Sequence, residues 1–462
     1  MTLAPKPTWV DSLVNWLKKE NVWWVGPSDA TYDESRLLYN RMHDLRPALI
    51  VRTLRTDVLA NVVRIAAEHR ITLAVRGGGH HVAGFASCDD GIVLDFSPFR
   101  GISISPTTQT VEVEPGTRLS DMDNKLCAQG WVVPTGTVSD TGMAGLTLGG
   151  GIGWLVGYYG LTCDHLIGAD VLLADGQMVQ AEDPMHADLL WALRGGGGNF
   201  GVVTRFRYKL QKLPRVTVGS AKVLAADAVR SLRNVMSFLE HSCSRMMTVA
   251  PVISRQSSGE ASLSIDFCIA GPNNRDLAGL QRAVGPATWD IQPNASFATW
   301  QRRLDASFQP PLRGYWKANY TRSALDLDVE ALVHAFDRAP GSHATCVIEH
   351  LHGAYRETDE YAAAFPLRWA SFGALIACRW QQAHEDAASK AWVRDTFNKL
   401  GGSESSAAYS NYTTSDDPRG ITSFADNLAT RLRAVKQRYD PTNLFRRNHN
   451  IVPRTFAAGT KE

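Results

Sequence analysis

Glycine placement constrains this chain more than any other feature. Three clusters lie between residues 77 and 201: Gly77-Gly78-Gly79, Gly149-Gly150-Gly151 with Gly153, and Gly195 to Gly198 followed by Asn199-Phe200-Gly201. Such density means either a flexible linker or backbone held close to something else. The linker reading fails because apolar residues flank the clusters: Leu146, Leu148, Ile152 and Trp154 at the second, Trp191, Leu193, Val202 and Val203 at the third. Ordered, buried backbone is expected there. The first cluster also ends a strand–helix–strand pattern. An apolar run at 48–52 is followed by Asp57 and a helical face of Val58, Val62, Ile65 and Ala66, and a second apolar run at 71–75 leads straight into Arg76-Gly77-Gly78-Gly79-His80-His81. Glycines at a strand end let backbone amides approach a phosphate. Neither a phosphate loop ending in Gly-Lys-Ser/Thr nor a Gly-x-Gly-x-x-Gly opening a helix is present, which leaves kinases and Rossmann dehydrogenases poorly supported. A large dinucleotide gripped by several loops fits better.

Composition narrows the partners. With 462 residues and 44% hydrophobic content, the chain has material for two or three packed domains. Its 48 basic and 46 acidic residues interleave without a basic stripe, so nucleic acid is not an expected partner. No apolar run is long enough to span a membrane. At the amino terminus Trp9, Val10, Leu13, Val14 and Leu17 alternate with Asp11, Asn15, Lys18 and Lys19, which predicts an amphipathic helix rather than a signal peptide and a cytoplasmic location. The seven cysteines are scattered, odd in number and without a Cys-x-x-Cys pair, so neither a disulfide framework nor a cysteine-based zinc site is expected.

Further strands are predicted at 92–96 and 110–114, with a hairpin over 171–179 turning at Asp175-Gly176. From Pro214 the glycine clusters end and amphipathic helices alternate with strand-like runs such as 261–269 and 345–351. A closing helix repeats Phe424, Leu428, Leu432, Val435 and Tyr439 on one face and stops at Asp440-Pro441.

The order of these motifs is specific. Arg76-Gly77-Gly78-Gly79-His80, Pro134-Thr135-Gly136, Gly145-x-x-x-Gly149-Gly150-Gly151-x-Gly153-Trp154, Tyr159-Gly160-Leu161-x-x-Asp164 and Leu190-Trp191-Ala192-x-Arg194 continuing to Val203 resemble the FAD-binding domain of berberine-bridge-enzyme-like oxidases, within the vanillyl-alcohol-oxidase (PCMH-type) superfamily. Tyr439-Asp440-Pro441-x-Asn443-Leu444-Phe445-Arg446-x-Asn448-x-Asn450-Ile451 is similar to that family's C-terminal signature. The resemblance covers residues 30–210 and 405–453. It implies an α+β fold: a helical segment at 1–45, an FAD-binding domain at 46–213, a substrate domain with a helix-covered antiparallel sheet at 214–415, and a segment at 416–462 returning to the FAD-binding domain. It further implies FAD tethered through His80 to the 8α-methyl of the flavin. Around the cofactor it places Arg76, Gly77, Gly78, Gly79, His81, Gly84, Thr137, Val138, Thr141, Gly142, Gly145, Gly149, Gly150, Gly153, Asn199, Gly201, Val202, Val203, Asn448 and Asn450. Many relatives form a second bond from a cysteine where this chain has Val138. Cys163 lies too far on to replace it, and the resemblance favours the singly tethered bacterial branch.

The implied chemistry is an oxidase taking a hydride from the carbon of a small alcohol or amine onto flavin N5, with O2 as the reoxidant giving H2O2, in a monomer or homodimer. A base should face the ring. Ala408-Tyr409-Ser410-Asn411-Tyr412 resembles the family's Tyr-x-Asn-Tyr motif, which makes Tyr412 the first candidate. In extended backbone Tyr409, the other candidate there, would point to the opposite side. A free tyrosine titrates near pH 10, about four kcal/mol from neutrality, so a neighbouring cation or concerted transfer would be needed. In the run Cys346 to His352, Val347, Glu349 and Leu351 share one face, while Ile348, His350 and His352 share the other. In the family the corresponding sheet roofs the isoalloxazine and contributes polar residues to the substrate pocket, and Glu349 falls near one such position. The resemblance makes Glu349 a third candidate, with His350 or His352 as the alternative substrate contact. His350 and His352 lack a third metal ligand at recognisable spacing, and no metal centre is expected. The carboxylate that some plant relatives carry on the next strand is absent at Phe372-Gly373-Ala374-Leu375. A same-fold dehydrogenase, an oxygenating natural-product enzyme and a non-catalytic flavin scaffold remain open.

Overall fold

The computed structural model describes residues 8–255, 261–271, 274–308, 311–341, 343–402, 407–419 and 424–454. Apolar runs bounded by glycine and polar turns form three main sheets. The first holds β1 (Trp23–Val25), β2 (Leu49–Arg52), β3 (Leu73–Arg76) and β4 (Ile92–Asp95) in the order β1-β2-β4-β3. β2, β4 and β3 are parallel, and the helix Thr56–Glu68 makes the crossover between β2 and β3. That helix buries Val58, Leu59, Val62, Val63 and Ala66, the stripe expected from the 3.6-residue period. The amino-terminal amphipathic pattern is a helix over Thr8–Lys19.

The second sheet comprises β5 (Ile102–Ser105), β6 (Thr110–Val113), β8 (Leu166–Leu172), β9 (Met178–Gln180) and β10 (Val202–Lys209), ordered β5-β6-β10-β8-β9 and antiparallel throughout. A short β7 (Trp131–Val132) pairs separately with β11 (Gln211–Lys212). The expected hairpin at Asp175-Gly176 is the β8–β9 turn, with Gly176 at φ 85°. The helix Asp426–Tyr439 packs onto the helix Ala187–Leu193, and its Leu428, Leu432, Val435 and Tyr439 share a core with Phe200 and Phe206 of this sheet's neighbourhood.

The third sheet is antiparallel, with β12 (Val216–Val223), β13 (Met247–Arg255), β14 (Ala261–Ala270), β15 (Ala287–Ala295), β16 (Arg313–Thr321), β17 (Ala344–His350) and β18 (Phe372–Trp380) in the order β15-β12-β14-β13-β17-β18-β16. Helices Ala228–His241, Val329–Phe336 and Asp386–Lys399 contribute to the core that also holds Cys346, Ile348, Phe372 and Ile376 of the sheet. The result is an α+β architecture with its cleft on the other face of the third sheet. Among the described residues no helix is long and apolar enough to cross a membrane.

Candidate active site

The cleft between the third sheet and the glycine clusters has a cavity volume of about 630 Å3, within the range of cofactor and small-molecule sites. Side chains alternate across a strand, so β17 sends Thr345, Val347 and Glu349 into the cleft and Cys346 and Ile348 into the buried layer behind it, while His350, at the strand's end, also borders the cleft. β18 adds Leu375, Ala377 and Arg379, and β16 adds Trp316. This roof is mainly apolar.

Backbone forms the opposite wall. Gly78 and Gly142 lie back to back, so a Cβ at Gly78 would fall 2.5 Å from the Gly142 nitrogen. Arg118 holds the two turns together by donating to the carbonyls of Gly78 and Asp140, each at 2.6 Å. At Gly145 and Gly198 an added Cβ would meet no protein atom, which leaves room for a ligand against the main chain. Asn448 Oδ1 and Trp316 Nε1, on residues lining the cleft, have no hydrogen-bond partner among the described residues. Open glycine faces and unpaired polar side-chain atoms fit a large group rich in hydrogen-bonding atoms, as a flavin dinucleotide is.

His80 stacks on Tyr39 with ring centroids 3.8 Å apart. Its Nε2 donates to Asp140 Oδ1 at 3.1 Å, so that bond engages Nε2 and not Nδ1. His81 is committed to the scaffold: Nε2 donates to the Ser410 carbonyl at 2.8 Å and Nδ1 accepts from the Ala83 amide at 3.1 Å. Burial, reinforced by His449, lowers its pKa to about 3, so the ring is neutral.

The tyrosine motif departs from the extended backbone expected of it. Residues Ser410–Tyr412 make a 3-10 turn, closed by the Tyr412 amide donating to the Tyr409 carbonyl at 2.9 Å. Both rings therefore enter one cluster, 4.8 Å apart and edge to face. Tyr409 is not free for proton transfer. Its oxygen accepts from the Gly151 amide at 2.8 Å and from Asn411 Nδ2 at 2.9 Å, which ties the second glycine cluster to this segment. Tyr412 is different. Its hydroxyl donates to Glu349 Oε1 at 2.8 Å, across the join between the returning segment and β17.

Of the residues expected at a cofactor, Gly77, Gly78, Gly79, His80, His81, Thr137, Val138, Thr141, Gly142, Gly145, Gly149, Gly153, Asn199, Gly201, Val203 and Asn448 line the cleft. Arg76, Gly84, Gly150, Val202 and Asn450 do not. Arg76 faces the reverse side, where it donates to the Ser35 carbonyl at 2.5 Å. Gly84 is required by the His43 ring and Gly150 by the Phe365 ring, which a Cβ would approach to 2.5 and 2.7 Å. Val202 belongs to the core beneath the first sheet. Cys163 is fully buried, outside the cleft lining, and its thiol pKa is raised by burial.

Comparison with known proteins matches the same two parts of the chain. Residues 47–182 match an FAD binding domain family, and residues 408–452 match a family described as berberine and berberine like. The FAD-linked oxidoreductase OXR1 of Pyricularia oryzae is 30% identical over 416 residues, covering 85% of this chain and 81% of that protein. The chain belongs to the berberine-bridge-enzyme-like family of FAD-linked oxidoreductases. It is also similar to (R)-6-hydroxynicotine oxidase of Paenarthrobacter nicotinovorans, 26% identical over 456 residues, with 93% of this chain and 96% of that protein covered. The crystal structure of 6-hydroxy-D-nicotine oxidase from Arthrobacter nicotinovorans superposes with a TM-score of 0.83 at 25% identity, over 93% and 97% of the two chains.

Electrostatics single out one pair in this oxidoreductase. Burial raises the Glu349 pKa to about 7, partly countered by the hydrogen bond from Tyr412. The Tyr412 hydroxyl is pushed well above its ordinary value, first by burial and then by the Glu349 charge. Asp140 moves the other way. Burial pushes it up, but the His80 hydrogen bond and the charges of His80 and Arg118 together hold it below the ordinary carboxylate value. Sequence reasoning missed Asp140, Tyr39, Arg118 and Arg379, because none belongs to a motif and their meeting depends on the fold.

Proposed function

We propose that this FAD-linked oxidoreductase is an oxidase of a small, largely apolar alcohol or amine, with FAD tethered through His80 and with Glu349 and Tyr412 handling the substrate proton. Bound FAD supplies the two-electron acceptor for a substrate hydride and passes the electrons to O2 as H2O2. The observation that carries the reading is the 2.8 Å Tyr412–Glu349 hydrogen bond on the cleft wall. A phenolate at Tyr412 is disfavoured, since burial and the Glu349 charge both oppose it. The pair avoids that state. The Tyr412 oxygen accepts the proton of the substrate hydroxyl or amine while its own proton moves to Glu349, whose pKa of about 7 suits proton uptake near neutrality.

Val347, Leu375, Ala377 and Trp316 supply an apolar surface that orients the substrate carbon skeleton and excludes water. His80 would be tethered through the nitrogen that Asp140 leaves free, and Tyr39 holds the ring by stacking. The test is anaerobic mixing of purified protein with a panel of apolar alcohols and amines. Bleaching of the flavin's visible band, H2O2 release on admitting air and a yellow acid-precipitated pellet are expected. A protein bleached by dithionite but by no member of a broad panel would overturn the oxidase reading, and a colourless pellet would overturn the tether.

A further inference from the structure

The carboxyl end of β17 carries a second cluster on the side away from Glu349. His350 and His352 stack with ring centroids 3.7 Å apart and planes within 3°. Cys243, just beyond the helix Ala228–His241, reaches the same point: one ligand atom from each of Cys243, His350 and His352 lies within 4.8 Å of the others. Sequence spacing could not reveal this third group, since Cys243 is far upstream.

His350 is 4% exposed, and its Nδ1 has no hydrogen-bond partner. His352 has a carbonyl at each nitrogen, His350 O at Nδ1 and Ser244 O at Nε2, both 3.2 Å away. The Cys243 thiol donates to the carbonyls of Ser244 at 3.7 Å and Met247 at 3.3 Å, contacts it would give up as a metal-bound thiolate. One sulfur and two imidazole nitrogens thus gather at one point, where a cation that displaces the thiol proton can be held by all three. Beside the cluster, the buried Asp276 carboxylate accepts from Ser244 Oγ. One thiolate, two neutral imidazoles and this carboxylate balance a divalent ion.

We propose that Cys243, His350 and His352 form a zinc site that pins the end of β17 to the end of the helix Ala228–His241. This departs from the expectation of no metal centre. Thiolate and imidazole together select zinc over calcium or magnesium. Zn–S near 2.3 Å and Zn–N near 2.0–2.1 Å require the ligand atoms to close by about 1 Å, which turning the two stacked rings accomplishes. Gly157 allows the His352 ring to sit here, since a Cβ would approach its Cε1 to 2.6 Å. The role is positional: His350 adjoins Glu349 at the end of β17, so a metal held there fixes the strand that carries Glu349 along the cleft.

The test uses the flavin-loaded protein equilibrated with micromolar zinc sulfate and passed through gel filtration. Elemental analysis should find about one zinc per chain, and X-ray absorption should show one sulfur and two imidazoles among its ligands. Iodoacetamide should label Cys243 about tenfold more slowly with zinc than after chelation, while partly exposed Cys127 is labelled equally in both. Cys243→Ser and His352→Gln should abolish retention with the flavin-to-protein absorbance ratio unchanged. Substoichiometric zinc after loading, or equal Cys243 labelling in both states, would overturn the site without bearing on oxidase activity. The labelling comparison uses unaltered protein, so it stands even where a variant misfolds.

Discussion

Tyr412 and Glu349 divide one proton between them, and substitutions can separate their shares. Tyr412→Phe keeps the ring in the aromatic cluster and removes only the relay oxygen, so anaerobic stopped-flow should show flavin reduction slowed by about 10² with flavin attachment intact. Glu349→Gln should slow it comparably. The pH profile then identifies the acceptor. In the proposed relay Glu349 takes up the proton as a carboxylate, and burial raises its pKa to about 7, so the reduction rate should fall about tenfold per pH unit below 7 and level off above it. A limb that survives Glu349→Gln would move the base elsewhere. At His80, replacement by Ala should release flavin on acid precipitation. Asp140→Asn should slow attachment, read as in-gel flavin fluorescence against time, by weakening the hydrogen bond that fixes the imidazole. The sequence exposed part of this. Tyr412 stands in a short motif and Glu349 follows from strand alternation, but Asp140 is 60 positions from His80 and has no local signature. The 3-10 turn that gathers Tyr409 beside Tyr412 was also hidden, because tertiary contacts from Gly151 and Glu349 decide that backbone.

Glycine turns and one edge strand set the geometry at the scale of elements. Gly78→Ala puts a methyl 2.5 Å from the Gly142 nitrogen, and backbone on both sides leaves it no escape. Flavin retention should fall sharply, whereas Gly130→Ala, where a Cβ meets nothing but φ is 73°, should lower the melting temperature slightly and leave the flavin in place. The segment carrying Tyr412 is anchored to β16 by Lys317, Asp417 and Arg419, all buried. Burial raises the Asp417 pKa, but Arg419 and Lys317 outweigh it and hold the carboxyl at about 2. A depressed folded-state pKa gives stability present above the unfolded value near 3.9 and lost as pH falls through 2. Denaturant titrations should therefore show about 2 kcal/mol of acid-sensitive stability between pH 4 and 2 that Asp417→Asn lacks. β16 was not predicted, for a physical reason: all but its first residue are buried, so Lys317 and Asn319 interrupt an apolar strand without producing alternation. β17, buried on one face only, was legible in its sequence.

For the molecule as a whole, the returning segment decides whether the cleft holds together. Lys436 and Asp440, both fully buried, form a knot in which Lys436 donates to Asp440, to the Asn199 carbonyl at 2.7 Å and to the Phe445 carbonyl at 3.0 Å. Asn448 reaches Gly198 from the same stretch, and Ile451 is held by Asn199. A chain ending after Arg438 should fail to retain flavin. Lys436→Met, which leaves Asp440 buried without its cation, should lower stability by about 3–5 kcal/mol in denaturant titrations. The knot also sets a timetable. Lys436 lies 237 positions beyond the asparagine it secures, and at synthesis rates of about 5–20 residues per second that separation lasts on the order of tens of seconds on the ribosome. Throughout that interval the third glycine cluster lacks its clamp, so a nascent chain must shelter a half-built nucleotide cradle, and cofactor supply matters most at the moment of release.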